Sequence, residues 1–231
     1  MTDFTITVKL DIKKDAWNYR WALNSNTHSS SRKEQIENIS DFDFNQLLGL
    51  QYEDTYPLMK NYLESFWKEH KEETEQKIQE MQIKLDQIKD DVFEKMTKLT
   101  KQSIYRNNFT IYLTSLNRWP YNYKEWYSLT FIFRKSYITP FIHELLHFQT
   151  IHYYKSHIMS KLHDEKKFET LKEAVTFLLN YEFNTIMDGY DNGYPQHQEL
   201  RKQLESYRLS QAEDKRDFAQ LIDYACDILL F

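Results

Sequence analysis

The sequence predicts an α+β fold that is mainly helical, with a small, mostly antiparallel sheet and a long helix in the N-terminal half. Three observations favour this fold class. The 231 residues include only three Gly and four Pro, which suits long helices joined by few tight turns. Most hydrophobic residues recur at helical spacing, whereas strict alternation is confined to a few short stretches. Hydrophobic residues make up 41% of the chain, enough for the core of a single domain spanning residues 1–231.

Charge and cysteine usage exclude several classes of partner and site. The formal net charge is -5 and no basic block occurs, so we expect neither nucleic acid nor a membrane surface as a partner. Cys226 is the only cysteine, which rules out a disulfide within the chain and a cysteine-based zinc site. The N-terminus has no charged and apolar signal, and no apolar run reaches membrane-spanning length. A cytoplasmic protein is therefore expected.

The N-terminal fifty residues predict one strand followed by short elements. Residues 4–12 alternate between apolar and polar side chains, which indicates a half-buried strand. Residues 15–23 also alternate but are compatible with either a second strand or a short helix. Residues 24–31 are polar and predict a loop. Residues 32–39 and 42–50 predict two short helices.

Residues 57–100 predict a long helical segment that begins at Pro57. It is either one long or gently broken helix, or two antiparallel helices that turn near residues 70–77. No Gly or Pro marks a turn there, which favours the first interpretation. The segment could protrude as a lid or form a homodimer through a coiled coil, but packing on its own domain is the preferred interpretation. A heptad-like seam supports the helix and consists of Ile78, Met81, Leu85, Ile88, Val92, Met96 and Leu99.

Two further strands and four helices fill the C-terminal half. Residues 109–116 and 126–133 alternate and predict strands, with a turn at residues 118–122 between them. They form a plain hairpin in a sheet with residues 4–12, and an edge strand of this sheet can also pair with an extended peptide. A helix at residues 140–149 follows, and helical spacing then predicts helices at residues 167–183, 197–207 and 212–230.

The helix at residues 140–149 contains a His-Glu-x-x-His motif formed by His143, Glu144 and His147. Residues four apart lie on one face of a helix, so the two imidazoles can hold one Zn²⁺. Glu144 then lies where it can take a proton from a water on the metal. Thr139 is a suitable N-cap and Pro140 suits the first helical position. The alternative is a chance match in an ordinary buried helix.

The motif resembles that of zincin metallopeptidases, and the order of elements extends the resemblance to about the C-terminal half of the chain. The resemblance implies a zincin-like domain with its catalytic core at residues 105–231. It implies a zinc-dependent peptidase that acts on peptide or protein substrates, with Glu144 as general base and proton carrier to the leaving amine.

The third zinc ligand is not given by the motif itself. Metzincins carry a Gly and a His at positions that here are Thr150 and Tyr153, so that class is excluded. His152 lies one residue off the stripe of the two motif histidines. His157 is more than two turns past His147, too far to share the ion.

Gluzincins take a Glu from a later helix, and Glu173 matches this position best. It stands among apolar residues, and a buried carboxylate needs a partner. Phe177 occupies the place, four residues later, where thermolysin-like members carry an Asp. Glu173 is alternatively the end of a capping box that begins at Thr170. The next ligand candidates are Glu169, Asp164 and His163.

The stretch at residues 188–197 contains two of the three glycines, which indicates unusual backbone angles. Gluzincins use a downstream Tyr or His to stabilise the tetrahedral oxyanion, and Tyr190, Tyr194 and His197 are candidates for this role. The alternative is a surface loop and helix cap.

Two other functions stay open beside the peptidase. One is a helical interaction protein with a structural or vestigial zinc, and the other is a zinc hydrolase of a non-peptide amide.

Overall fold

The computed structural model describes residues 4–24 and 42–230 and has an α+β architecture, mostly helical with one small mixed sheet. The predicted helix at residues 32–39 lies outside the described residues, as does the predicted loop apart from its first residue. The strands are β1 (Thr5–Leu10), β2 (Asn108–Thr114), β3 (Tyr121–Asn122) and β4 (Tyr127–Phe131). The helices are α1 (Ile12–Asn24), α2 (Tyr52–Glu69), α3 (Lys71–Thr100), α4 (Ile138–Leu162), α5 (Glu165–Ala174), α6 (Leu179–Glu182), α7 (Gln198–Ser210) and α8 (Phe218–Leu230).

The four strands lie in the order β1-β2-β4-β3. β2 and β4 are parallel, with Leu113 opposite Thr130, and β3 runs antiparallel to β4. The sheet is therefore mixed, and the plain hairpin predicted from residues 109–116 and 126–133 is wrong. The cause is the connection at residues 115–126, which is long enough to return the chain to the starting end of β2. The segment predicted as a turn also contributes β3.

One compact unit comprises residues 6–84 and 109–135, and the buried side chains of α1 contribute to its core. Residues 15–23 belong to the helix α1, and Asp11 starts it by accepting hydrogen bonds from the backbone N–H groups of Lys13 and Lys14. Asp15 is fully buried on this helix and accepts hydrogen bonds from side chains at Thr114, Ser115 and Trp67. Burial raises the pKa of Asp15 to about 6 despite these donors.

The second predicted short helix, at residues 42–50, is instead a 3-10 turn at Phe44–Leu47.

The predicted long helical segment forms α2 and α3, separated only at His70. Backbone hydrogen bonds of helical spacing continue across this residue, from His70 N to Phe66 O and from Thr74 N to His70 O. Residues 71–77 are helical, so the alternative with an antiparallel turn there is wrong. α2 begins at Tyr52 rather than at Pro57, which lies inside the helix. The buried members of the seam on α3 are Met81, Leu85, Val92 and Met96.

The other compact unit contains residues 85–108 and 136–230 of the described chain, together with residues 4 and 5. Its centre is α4, which packs against α5 and α8. The apolar side chains of α4 include Phe141, Ile142 and Leu145, all fully buried. α5 continues through a 3-10 turn at Val175–Leu178 into α6, so the helical run ends close to its predicted limit. Within the described chain, no helix combines the length and apolarity that crossing a bilayer requires.

Candidate metal centre

The helix that carries the motif is capped by a residue from a distant loop. α4 begins at Ile138 behind Tyr137, whose side chain makes no capping bond, so the predicted N-cap Thr139 is wrong. The carboxylate of Asp188 instead accepts hydrogen bonds from the backbone N–H groups of Tyr137, Ile138 and Thr139, at 2.8, 3.0 and 2.9 Å. These N–H groups have no partner within the helix, so Asp188 fixes where α4 starts.

The side chains of His143, His147 and Glu173 converge on one point. One ring nitrogen of each histidine and one carboxylate oxygen of Glu173 lie within 4.8 Å of one another. Oε1 of Glu173 is 3.2 Å from Nε2 of His147, and Oε2 is 3.6 Å from Nε2 of His143. His147 is buried, whereas the side chains of His143 and Glu173 stay 19% and 17% exposed. The cluster is therefore mostly buried, and solvent reaches it at His143 and Glu173.

The position of Glu173 follows from where α5 begins. Asp164 is the N-cap of this helix and accepts hydrogen bonds from the N–H groups of Lys166 and Lys167. Thr170 consequently lies in the middle of α5, and the capping-box alternative for Glu173 is wrong. Glu169 is not part of the cluster and pairs with Nζ of Lys172 at 2.6 Å, and the same Nζ lies 3.6 Å from Oε1 of Glu173.

The remaining histidines of α4 have other surroundings. His152 stacks on the ring of Tyr105, with centroids 3.7 Å apart. Nε2 of His157 lies 2.6 Å from Oδ1 of Asp223. His163 follows the last turn of α4 in a left-handed conformation with φ 51°. The structure places none of them in the cluster.

Asp191 orients the first histidine of the motif. Its Oδ2 lies 2.5 Å from Nδ1 of His143, so Nδ1–H donates to this carboxylate and Nε2 faces Glu173. Asp191 is itself held by Nη2 of Arg201 at 3.0 Å and by the hydroxyl of Thr176 at 3.1 Å. A carboxylate from a later loop thus supports the site, although Phe177 occupies the position that the resemblance assigns to an Asp.

Gly193 permits the close approach of Arg201 to this loop. Its φ of +62° lies in the region that favours glycine, and a Cβ here would come within 2.5 Å of Nη1 of Arg201. The same guanidinium donates to the backbone carbonyl of Asp191 at 2.8 Å. The glycine therefore allows the arginine to hold Asp191 from two sides.

The three clustered side chains strongly influence one another's proton affinity. Burial lowers the pKa of His143, but hydrogen bonds with Asp191 and Glu173 raise it well above its ordinary value. Burial lowers the pKa of His147 to about 3, so its ring is neutral. Burial opposes the ionisation of Glu173, yet the two histidines hold its pKa well below the usual range. In this arrangement His143 carries the proton and Glu173 is ionised, with Nζ of Lys172 3.6 Å from its Oε1.

Glu144 lies beside the cluster without belonging to it. The residue is 5% exposed, and its Oε2 is buried with no hydrogen-bond partner among the residues that the structure describes. Burial raises the pKa of Glu144 to about 8, while the nearby charge of His143 opposes the rise. A buried carboxylate with a free oxygen and a pKa near neutrality is suited to accepting and releasing a proton.

The three downstream candidates differ in their surroundings. His197 is 9% exposed, and its Nδ1 is buried without a hydrogen-bond partner in residues 4–24 and 42–230. Burial lowers its pKa and the charge of Glu173 opposes this, so the ring lies within electrostatic reach of the cluster. Tyr190 is 67% exposed and Tyr194 is 37% exposed.

Sequence reasoning missed Asp188, Asp191 and Arg201. The available signal was the pair of aspartates interspersed with Gly189 and Gly193, because acids in a glycine-containing loop often hydrogen-bond backbone or histidine groups elsewhere. The sequence does not indicate which histidine or helix end they reach. No protein-family model, curated protein or solved structure matches this chain significantly.

Proposed function

We propose that this chain is a zinc-dependent metallopeptidase of gluzincin type with a zincin-like catalytic unit. The observation that carries the proposal is the convergence of His143, His147 and Glu173 within 4.8 Å, next to the buried Glu144. Two histidines four residues apart and a carboxylate from a later helix are the ligand set of such enzymes.

The donor atoms fit zinc in type and in number. Two imidazole nitrogens and one carboxylate oxygen suit Zn²⁺, and three protein ligands leave a position for water or substrate. Within the described ranges, no fourth His, Cys, Asp or Glu joins the group. The lowered pKa of Glu173 keeps its carboxylate ionised and therefore available to a cation.

The surroundings of each side chain indicate its proposed role in the reaction. Bound zinc would supply a Lewis acid that polarises a substrate carbonyl and lowers the pKa of water. Because Asp191 accepts a hydrogen bond from Nδ1 of His143, Nε2 is the nitrogen that would bind zinc. Oε2 of Glu144 accepts the proton of the attacking water and transfers it to the leaving amine nitrogen.

His197 is the proposed donor to the negative oxygen that develops on the substrate. It is buried near Glu173, has an unpartnered ring nitrogen, and its lowered pKa keeps the ring neutral with one N–H to donate. The exposed rings of Tyr190 and Tyr194 are the alternatives.

The proposal is tested by exposing the zinc-loaded protein to a complex mixture of peptides and identifying new termini by mass spectrometry. We expect new termini with the zinc form and none after chelation. Hydrolysis of small amides but of no peptide would instead support a zinc hydrolase of a non-peptide amide. Zinc binding with no hydrolysis of either substrate class would support a helical interaction protein with a structural ion.

A further inference from the structure

A cavity separate from the candidate metal centre lies in the same compact unit, at the ends of α3 and α7. Its volume is about 420 Å³, within the range of small-molecule sites. The cavity is lined by side chains from α3, from the helical run that ends in α6, from α7 and from the start of α8. The segment at residues 211–217 completes the lining. Neither the motif histidines nor Glu173 contribute to this lining.

The floor of the cavity is apolar and firmly packed. Leu178, Phe218 and Leu221 contribute to it and are only 2%, 3% and 4% exposed. An apolar group of a ligand would contact the small apolar surface that these side chains present to the cavity. The floor alone gives no specificity, which has to come from the polar rim.

Most of the charged side chains in the lining are already paired. Such pairs have no strong need for a ligand, because their charges are compensated within the protein. The ion pairs of the lining are Arg208 with Glu182, Lys98 with Glu94, and Asp217 with Lys101.

Two lining residues of opposite charge remain uncompensated. Nε of Arg216 donates to the backbone carbonyl of Arg208 at 3.4 Å, but its terminal nitrogens have no carboxylate partner in the described part of the chain. Glu213 is exposed and likewise has no ion-pair partner among the described residues. The two residues belong to one short segment, with Glu213 beginning the 3-10 turn Glu213–Lys215.

We propose that this cavity binds a small zwitterion with an apolar side group, namely a free hydrophobic α-amino acid. Arg216 binds the carboxylate, for which the guanidinium fork is well shaped. Glu213 binds the ammonium group, and the apolar side group lies on the floor. This assignment does not depend on the proposed peptidase activity.

Isothermal titration calorimetry with three related probes tests the assignment. L-phenylalanine carries both charges, 3-phenylpropionate lacks the ammonium group and 2-phenylethylamine lacks the carboxylate. We expect L-phenylalanine to bind at least about tenfold more tightly than either analogue, since each analogue leaves one charged contact unmade. No binding of L-phenylalanine, or equal binding of an analogue, would overturn the proposal.

Variants locate the binding site. Arg216→Gln should weaken L-phenylalanine at least about tenfold and leave 2-phenylethylamine unchanged, whereas Glu213→Gln should leave 3-phenylpropionate unchanged. The matched controls are Lys215→Gln and Asp214→Asn, whose exposed side chains do not line the cavity. Binding that survives Arg216→Gln but disappears in His143→Ala would place the amino acid at the candidate metal centre and refute the assignment.

Discussion

At the scale of single residues, two acids of α5 that look equivalent in sequence have different environments. Glu169 and Glu173 are one helical turn apart, and both are candidate ligands by residue type. In the structure Glu173 faces the two histidines and Glu169 does not, although Nζ of Lys172 contacts both acids, at 3.6 and 2.6 Å. Which acid faces the cluster depends on how α5 packs against α4, and the sequence alone does not determine this packing.

Replacing Glu173 should therefore affect metal binding far more than replacing Glu169. The parent protein should bind about one zinc per chain, and Glu173→Ala should lower zinc affinity by more than about a hundredfold because it removes a ligand. Glu169→Ala is the control and should retain zinc affinity. Competition with a chromophoric chelator measures both, and loss of zinc from the Glu169 variant alone would reverse the ligand assignment.

Asp191 supports His143 from outside the cluster, and its removal should have an intermediate effect. Asp191→Asn retains the size of the side chain but loses the negative charge that fixes the histidine tautomer. We expect zinc affinity to fall about 10- to 100-fold, the usual effect of such supporting carboxylates. Asn192→Ala changes the exposed neighbour and should leave affinity as in the parent. Equal zinc affinity in both variants would show that Asp191 does not act through the metal site.

At the scale of secondary structure, local patterns predict elements well and their ends poorly. The seam of α3 and the alternation of β2 are confirmed because both depend on periodic burial. The start of α4 is missed because its cap, Asp188, is fifty residues away in sequence. The direction of β4 is missed because a connection of intermediate length permits either a hairpin or a crossover.

The cap of α4 can be tested by Asp188→Ala. Burial opposes ionisation of Asp188, but hydrogen bonds from the backbone of Ile138 and Thr139 keep its pKa below the ordinary value. The variant should lose about 1 kcal/mol of unfolding free energy at neutral pH, a typical cap effect. Because the pKa is lower in the folded state, this stabilisation is present above the unfolded pKa and disappears as the pH falls through the folded pKa. Denaturant unfolding at several pH values measures it, and a difference from the parent that does not shrink in acid would contradict the capping role.

At the scale of the whole molecule, the local part of the candidate site is readable from sequence and the remainder is not. His143, Glu144 and His147 are recognisable because helical spacing alone puts them together. To identify Glu173, one has to know which buried acid of another helix reaches the two histidines. Asp191 and Arg201 contribute only through tertiary contacts, so the sequence offers no spacing by which to find them.

Metal removal should weaken the folded protein without unfolding it. The unit that carries the site has an extensive apolar core of its own around α4, so the ion adds to stability but does not create the fold. Zinc at about a thousand times its dissociation constant should add about 4 kcal/mol to the unfolding free energy. Calorimetry should show a lower unfolding temperature after chelation, with circular dichroism unchanged at 25 °C. Loss of helical signal on chelation would indicate a structural ion instead.

The most direct test of the proposed mechanism is the variant Glu144→Gln. Glutamine retains the size of the side chain but cannot accept a proton at neutral pH, and Glu144 is not part of the ligand cluster. We predict that the variant folds, binds about one zinc per chain with the affinity of the parent, and hydrolyses peptides at least about 10²-fold more slowly. Unchanged hydrolysis would contradict Glu144 as the general base, and loss of zinc would show that the ligands are misassigned.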